Sequence, residues 1–249
     1  MNVFIVYFSG TGNSEAIARG YERALVKAGH QVMSASIENL DKIPEHDFLI
    51  VGGPIYAGNM PDKLINWIRT KIPAHAIDKK AIVFSTSAGL LNANGVKSIG
   101  RKLMKKGYSL VDAAIFEMPR NFYIDQYDPT PEAIQKQQFE RAAVDIVNSV
   151  RKMDLDTVVD MTQSVIMIDL LADVFRWMAK SLGKSFQITE QCIGCGKCEK
   201  NCPEHNINYI EKRFSNKCMM CTRCIHNCPV NAISYKEKHI DQYRVHYEI

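Results

Sequence analysis

The chain has 249 residues, of which 46% are hydrophobic and 23% are charged, and its formal net charge at pH 7 is +4. This length allows one α/β core of about 150 residues, a connecting segment and a second small domain. The charge is mild and not clustered, so it does not support binding to nucleic acids. No charged segment precedes the first apolar run, and we therefore expect no signal peptide and a cytoplasmic location.

A buried parallel strand is predicted at the start of the chain from the continuous apolar run Val3–Phe8. A loop rich in glycines and hydroxyls follows, and a helix is predicted from about residue 14 to about residue 28. Amides, hydroxyls and the dipole of a helix N-terminus can hold a phosphate dianion without a lysine or an arginine. The loop lacks the glycine patterns of nucleoside-triphosphate and dinucleotide sites. An ordinary turn is the alternative interpretation of these residues, which are Ser9, Gly10, Thr11, Gly12, Asn13 and Ser14.

Strands and helices then alternate. Four further strands are predicted at Gln31–Ile37, Asp47–Gly52, Lys80–Ser85 and Leu110–Glu117. Helices are predicted near Asp62–Lys71, Asn94–Lys106 and Pro131–Lys152. Such an order predicts an α/β domain over residues 1–152, built on a doubly wound five-stranded parallel sheet.

The loop Ser9–Ser14, placed after a first strand in this order of elements, resembles the phosphate-binding loop of the flavodoxins. The resemblance implies a flavodoxin-like fold with FMN bound at the carboxyl ends of the strands. Tyr56 would stack on the isoalloxazine ring, or else pack on its own domain. Asn121 would bond the flavin, or else stabilise a turn. Besides Ser9–Ser14, the implied FMN-binding residues are Pro54, Ile55, Tyr56, Ala57, Gly58, Thr86, Ser87, Ala88, Gly89 and Asn121.

Residues 153–186 fit neither a strand-helix alternation nor a metal-binding pattern, and we predict a helical connector there. Four charged residues interrupt its apolar run at helical spacing, so they line one stripe and leave a wide apolar arc. These charges argue against a membrane-spanning helix. We expect the connector to pack between two domains, and a dimer face, a lid over the flavin or a partner groove are the alternatives. The four residues are Asp169, Asp173, Arg176 and Lys180.

All eight cysteines lie beyond residue 191, in two copies of the pattern C-x2-C-x2-C-x3-C-P. This pattern resembles that of the bacterial two-cluster ferredoxins, in which each loop supplies three ligands and the other repeat supplies the fourth. The resemblance implies a small α+β ferredoxin-like domain over residues 187–249. One implied [4Fe–4S] cluster is held by Cys192, Cys195, Cys198 and Cys228, and the second by Cys218, Cys221, Cys224 and Cys202.

Zinc and disulfides are the weaker interpretations of the cysteines. Disulfides need an oxidising compartment, and structural zinc is typically held by C-x2-C pairs with a long spacer. His205 and His226 lie beside cluster cysteines, and we interpret them as surface or cluster-tuning residues. No catalytic acid or base is identifiable, and no NAD(P)H site is recognisable in the sequence.

The whole sequence resembles the flavodoxin/ferredoxin fusion proteins of anaerobic bacteria. We expect an electron-transfer protein that passes low-potential electrons between two [4Fe–4S] clusters and FMN, to or from a partner redox protein. The alternative is an FMN-dependent reductase of a quinone, a tetrapyrrole or another unsaturated acceptor, fed by its own clusters. A redox sensor is a third and weaker interpretation.

Overall fold

The computed structural model places a parallel sheet at the N-terminus and two small antiparallel sheets near the C-terminus. For residues 93–94, 166–172 and 176 the structure describes the backbone and not the side chains. The residues described are 1–56, 58–74, 76, 78–89, 93–122, 128–155, 158–161 and 166–249.

Five parallel strands form the N-terminal sheet in the order β2-β1-β3-β4-β5, which confirms the predicted doubly wound fold. The strands are β1 (Asn2–Tyr7), β2 (Gln31–Ser36), β3 (Phe48–Pro54), β4 (Lys80–Ser87) and β5 (Ser109–Glu117). The helices between and after them are α1 (Asn13–Lys27), α2 (Asp62–Lys71), α3 (Ala93–Met104) and α4 (Glu132–Arg151).

Helices cover both faces of the sheet, and successive side chains of each strand point to opposite faces. Each strand therefore contributes side chains to two cores. In β1, Phe4 and Val6 pack in the core beneath α2 and α3. Val3 and Ile5 pack in the second core, beneath α1 and α4. The continuous apolar run at the start of the chain is therefore the consequence of a strand with no solvent-exposed face.

Strands β3 and β4 extend two residues beyond their predicted ends. Gly53 pairs with Ser85 and Pro54 with Thr86, so both strands reach the edge where ligands of such sheets bind. The apolar pattern stops earlier because glycine is required at Gly52, where a Cβ atom would overlap the ring of Phe84. Because Pro54 and Thr86 are paired, the loops that follow these two strands begin side by side.

A helix, α5 (Ile166–Leu182), lies in the predicted connector. Asp173 and Lys180 are exposed, as predicted for the charged stripe, whereas the side chains of Asp169 and Arg176 lie outside the described residues. Phe175 packs against the C-terminal core, while Trp177 is 75% exposed. Part of the apolar arc thus faces solvent. Among the described helices, none is both long and apolar enough to cross a membrane.

The C-terminal domain is built from short elements around a small core that includes Phe186, Ile225 and Tyr235. Strands β6 and β9 pair antiparallel, and so do β7 and β8. The elements are β6 (Phe186–Ile188), α6 (Lys197–Lys200), β7 (Ile207–Asn208), β8 (Arg213–Phe214), α7 (Arg223–His226) and β9 (Ile233–Tyr235).

The C-terminal segment after residue 235 returns to the N-terminal domain and packs on α1 and α4. The Tyr243 hydroxyl donates to Asn13 Oδ1 at 2.6 Å. The rings of Phe139 and Tyr247 lie 5.5 Å apart, and Arg23 Nε donates to the Ile249 carbonyl at 2.6 Å. This return is not predictable from the sequence, because the segment has no periodic pattern.

Candidate functional site

A cavity of about 330 Å³ lies at the carboxyl ends of the parallel strands. Most of the predicted FMN-binding residues line it. Gly12 and Gly89 are not among its described lining residues, and Ala57 lies outside the described residues. The predicted residues that line the cavity are Ser9, Gly10, Thr11, Asn13, Ser14, Pro54, Ile55, Tyr56, Gly58, Thr86, Ser87, Ala88 and Asn121.

The loop after β1 forms one end of the cavity, where α1 begins. Gly12 caps the helix with φ of 109°, a conformation that favours glycine, and its N–H donates to Ser9 Oγ at 3.1 Å. Ser14 Oγ and Thr86 Oγ1 are hydrogen-bonded at 2.7 Å, which ties this loop to the end of β4. Hydroxyls and a helix N-terminus are thus gathered at one end of the cavity, an arrangement that suits a phosphate group.

Tyr56 lies between this cavity and the C-terminal domain. Its backbone N–H donates to the Asn59 carbonyl at 2.8 Å in the tight turn after β3. A Cβ atom at Gly10 would collide with the Tyr56 hydroxyl, so the phenol packs directly on the first loop. Desolvation raises the pKa of Tyr56 well above its usual value, which keeps the hydroxyl neutral. Stacking of Tyr56 on a flavin stays a prediction.

Five further residues line the cavity that sequence reasoning did not include: Pro119, Arg120, Phe122, Phe175 and Met220. Pro119, Arg120 and Phe122 lie in the loop after β5, beside the predicted residue Asn121. Phe175 comes from α5, and Met220 from the second cysteine loop. The apolar arc of α5 was the only sequence signal for Phe175, and nothing in the sequence pointed to Met220.

The loop after β5 is held from both sides at Asn121. Its side-chain amide donates to Thr11 Oγ1, and its backbone carbonyl lies 2.7 Å from His226 Nε2. The Tyr243 N–H donates to His226 Nδ1 at 2.9 Å, so Nδ1 is an acceptor and Nε2 carries the proton. Desolvation lowers the pKa of His226 and favours this neutral form. His226 is therefore a buried residue, not a surface one, and its hydrogen bond to Asn121 links the two domains.

Two small cavities lie among the eight cysteines, none of which forms a disulfide. Each cavity combines three cysteines of one repeat with the last cysteine of the other repeat. We call them the proximal cysteine cavity, lined by Cys218, Cys221, Cys224 and Cys202, and the distal cysteine cavity, lined by Cys192, Cys195, Cys198 and Cys228.

The surroundings of these sulfurs fit an iron–sulfur cluster. Backbone N–H groups donate to Cys202 Sγ from Asn206 at 3.3 Å and to Cys228 Sγ from Ala232 at 3.2 Å. Burial raises the pKa of Cys218 to about 12 and that of Cys221 to about 11. Buried thiolates are costly unless a cation compensates them; cluster iron would supply that positive charge, and the N–H dipoles would stabilise the sulfurs.

The proximal cysteine cavity adjoins the cavity at the carboxyl ends of the strands, and the second cysteine loop touches the loop after β1. A Cβ atom at Gly10 would lie 3.2 Å from the Cys221 carbonyl oxygen. The Thr222 hydroxyl also lies 3.3 Å from the Asn121 carbonyl. The distal cysteine cavity reaches the surface, where Cys195 is exposed and Ile193 is 65% exposed.

Comparison with known proteins identifies both halves of the chain. Residues 4–120 match the flavodoxin domain, and residues 187–208 and 212–234 match the 4Fe-4S binding domain. The flavodoxin of Megasphaera elsdenii is 31% identical over 123 residues, which cover 48% of this chain and 89% of that protein. The flavodoxin of Clostridium saccharobutylicum is 27% identical over 112 residues, which cover 43% of this chain and 70% of that protein.

Among solved structures, oxidised flavodoxin 2 from Bacillus cereus is 22% identical, with a TM-score of 0.45 over 61% of this chain and 99% of that chain. The flavodoxin match implies FMN, and the two 4Fe-4S matches imply iron–sulfur clusters. The chain belongs to the flavodoxin family and is a fusion of a flavodoxin domain with a 4Fe–4S ferredoxin domain, which makes it an electron-transfer protein of the flavin and iron–sulfur type.

Proposed function

We propose that the protein carries single low-potential electrons between a partner redox protein and FMN by way of two [4Fe–4S] clusters. The observation that carries this proposal is the serial order of the three cavities. The distal cysteine cavity opens to the surface at Cys195, and the proximal one adjoins, through Cys221 and Gly10, the cavity of about 330 Å³, which we call the FMN cavity. A donor docked at the surface would therefore meet the distal cluster first.

The two cysteine sets act as the cluster ligands in this proposal. Cys192, Cys195, Cys198 and Cys228 hold the distal cluster, and Cys218, Cys221, Cys224 and Cys202 hold the proximal one. The backbone N–H groups at Asn206 and Ala232 stabilise negative charge on the sulfurs to which they donate. Crossed ligation also locks the two repeats together, because each cluster bridges both.

Ser9–Ser14 at the N-terminus of α1 would hold the FMN phosphate, and the loops that follow β3, β4 and β5 would contact the ring system, since residues of all these segments line the cavity. Bound FMN supplies a centre that accepts one or two electrons, whereas each cluster transfers one. Phe175 of α5 is one of the residues that line the cavity, and it also packs against the C-terminal core. In this proposal the connector therefore contributes to the wall of the flavin site in addition to joining the domains.

The first prediction concerns cofactor content. Anaerobically reconstituted protein is expected to contain about eight irons per chain, because each cube has four. It is also expected to contain one non-covalent FMN. Iron, acid-labile sulfide and flavin analysis measures these amounts. Four irons or fewer, or zinc in their place, would contradict the two-cluster proposal, and FAD in place of FMN would contradict a terminal-phosphate site at Ser9–Ser14.

A second candidate function, reduction of a small organic acceptor, is favoured by a neighbouring cavity of about 110 Å³. This cavity shares Tyr56 and Phe175 with the FMN cavity, and Lys63, Lys180 and Lys217 are among its other lining residues. An acceptor bound there would lie beside the flavin. The FMN would then act directly on a substrate instead of serving a partner protein.

The second prediction separates the two functions. For a carrier, a reduced ferredoxin is expected to reduce the clusters and then the flavin, while NADH or NADPH alone reduces neither at a useful rate. Stopped-flow absorbance under anaerobic conditions follows both chromophores. If, with the same donor and no acceptor protein, the protein rapidly turns over a quinone, the flavin is an active site and the reductase function replaces the carrier function.

A further inference from the structure

Arg223 reaches from the proximal cysteine cavity to the back of the phosphate loop. Its Nε donates to the Gly10 carbonyl at 3.0 Å, and its Nη2 donates to the Ser9 carbonyl. The guanidinium also forms a bidentate ion pair with Glu38, with distances of 3.0 and 2.7 Å. Its side chain is only 13% exposed. A fixed fork of this kind orients the groups that it binds.

The contact determines where the amides of the loop point. No cis peptide bond occurs in the described chain, and in a trans peptide the N–H points away from the preceding carbonyl. Because the Ser9 and Gly10 carbonyls face Arg223, the N–H groups of Gly10 and Thr11 face the opposite way. Both residues line the FMN cavity, whereas Arg223 lines the proximal cysteine cavity. Arg223 therefore binds the loop on the side opposite to the FMN cavity.

The charge of Arg223 acts on the same two peptide groups. Hydrogen bonds from a cation to a carbonyl polarise the peptide, which makes its N–H a stronger donor. The loop Ser9–Ser14 contains no lysine or arginine of its own, so its affinity for phosphate rests on amides, hydroxyls and the dipole of α1. Arg223 of the other domain thus supplies the cation that contacts the backbone of this loop.

We propose that Arg223 is a positioning residue for the flavin phosphate, so that phosphate recognition in the flavodoxin domain depends on the ferredoxin domain. This inference rests on the proposed function, in which the FMN phosphate binds at Ser9–Ser14. The proposal also implies that binding of FMN is coupled to assembly of the proximal cluster. Cys221 and Cys224 flank the stretch that carries Arg223, so a folded proximal cluster site holds the arginine in place.

Riboflavin, which lacks the phosphate, separates phosphate recognition from mere domain docking. Dissociation constants for FMN and riboflavin are measured by fluorescence titration of full-length, cluster-loaded, flavin-free protein. Arg223→Met is expected to weaken FMN binding by roughly ten- to a hundredfold, since it removes two charge-assisted hydrogen bonds to the loop. Riboflavin binding is expected to change by less than about twofold, which is under 0.5 kcal/mol. Arg223→Lys is expected to lie between, because an ammonium cannot fork to two carbonyls.

Arg213→Met is the matched control. Arg213 lies in the same domain, and its side chain is 71% exposed and pairs with Glu211. This variant is expected to leave both flavin affinities unchanged. If Arg223→Met weakens FMN and riboflavin equally, or neither, the proposal is overturned. If Arg223→Met does not load its clusters, the test uses Arg223→Lys and the ratio of its dissociation constants for FMN and riboflavin. A ratio equal to that of the wild-type protein overturns the proposal. If the wild-type protein binds riboflavin as tightly as FMN, the proposed phosphate site itself fails.

Discussion

Cys202→Ala is expected to destroy the proximal [4Fe–4S] cluster and spare the distal one. Cys202 follows Cys192, Cys195 and Cys198 in the sequence, yet it lines the cavity of the other three-cysteine loop. Its Sγ accepts the Asn206 N–H at 3.3 Å, so the thiol is already oriented there. Loss of one thiolate leaves the proximal cube with three ligands, and electrons from the surface must then cross an empty site to reach FMN.

Double variants make this prediction independent of any spectral assignment. With crossed ligation, Cys202→Ala combined with Cys221→Ala removes two ligands from one cube, and one reduced [4Fe–4S] EPR signal per chain remains. Cys202→Ala combined with Cys195→Ala damages both cubes, and no such signal remains. The reverse pattern would show that each repeat ligates its own cluster. FMN content, measured in parallel, reports whether the flavodoxin domain stays folded.

The fold and most of the residues that line the FMN cavity can be predicted from the sequence, because short, local sequence patterns indicate them. A loop of glycines and hydroxyls ahead of a helix has a definite chemistry, and parallel strands bring their carboxyl ends to one edge. Thr86 could therefore be predicted as a flavin-binding residue at the end of β4, but its hydrogen bond to Ser14 of the phosphate loop, at 2.7 Å, could not. The cysteine spacing likewise resembled that of one family, whose crossed ligation matches the sets of cysteines that the structure brings together.

The contacts between the domains were not accessible in this way. Arg223 meets Gly10 across 213 positions of sequence, and His226 meets Asn121 across 105. Such pairs depend on how two folded domains dock, and no periodic pattern or spacing encodes that geometry. Phe175 is an intermediate case, because the amphipathic pattern of α5 predicted a buried face but not what that face covers. The flavin site is therefore predictable where one domain builds it and unpredictable where the second domain completes it.

Thr11→Glu is expected to expel FMN while both clusters remain. Thr11 lines the FMN cavity within the phosphate loop, and its Oγ1 accepts a hydrogen bond from the Asn121 side chain. A carboxylate about 4 Å from a phosphate charge costs roughly 4 kcal/mol at an effective dielectric constant near 20. This corresponds to about a thousandfold weaker FMN binding.

Two comparisons show whether the charge is responsible for the loss of FMN. Thr11→Ser keeps the hydroxyl and is expected to retain FMN, whereas Thr11→Gln has nearly the shape of glutamate without its charge. Equilibrium dialysis of flavin against each variant, with iron analysis of the same samples, measures both cofactors. A Thr11→Gln variant that loses FMN as completely as Thr11→Glu would assign the effect to steric exclusion. Unchanged flavin content in Thr11→Glu would place the FMN phosphate elsewhere, since the amides at this helix N-terminus cannot hold a carboxylate and a phosphate at the same point.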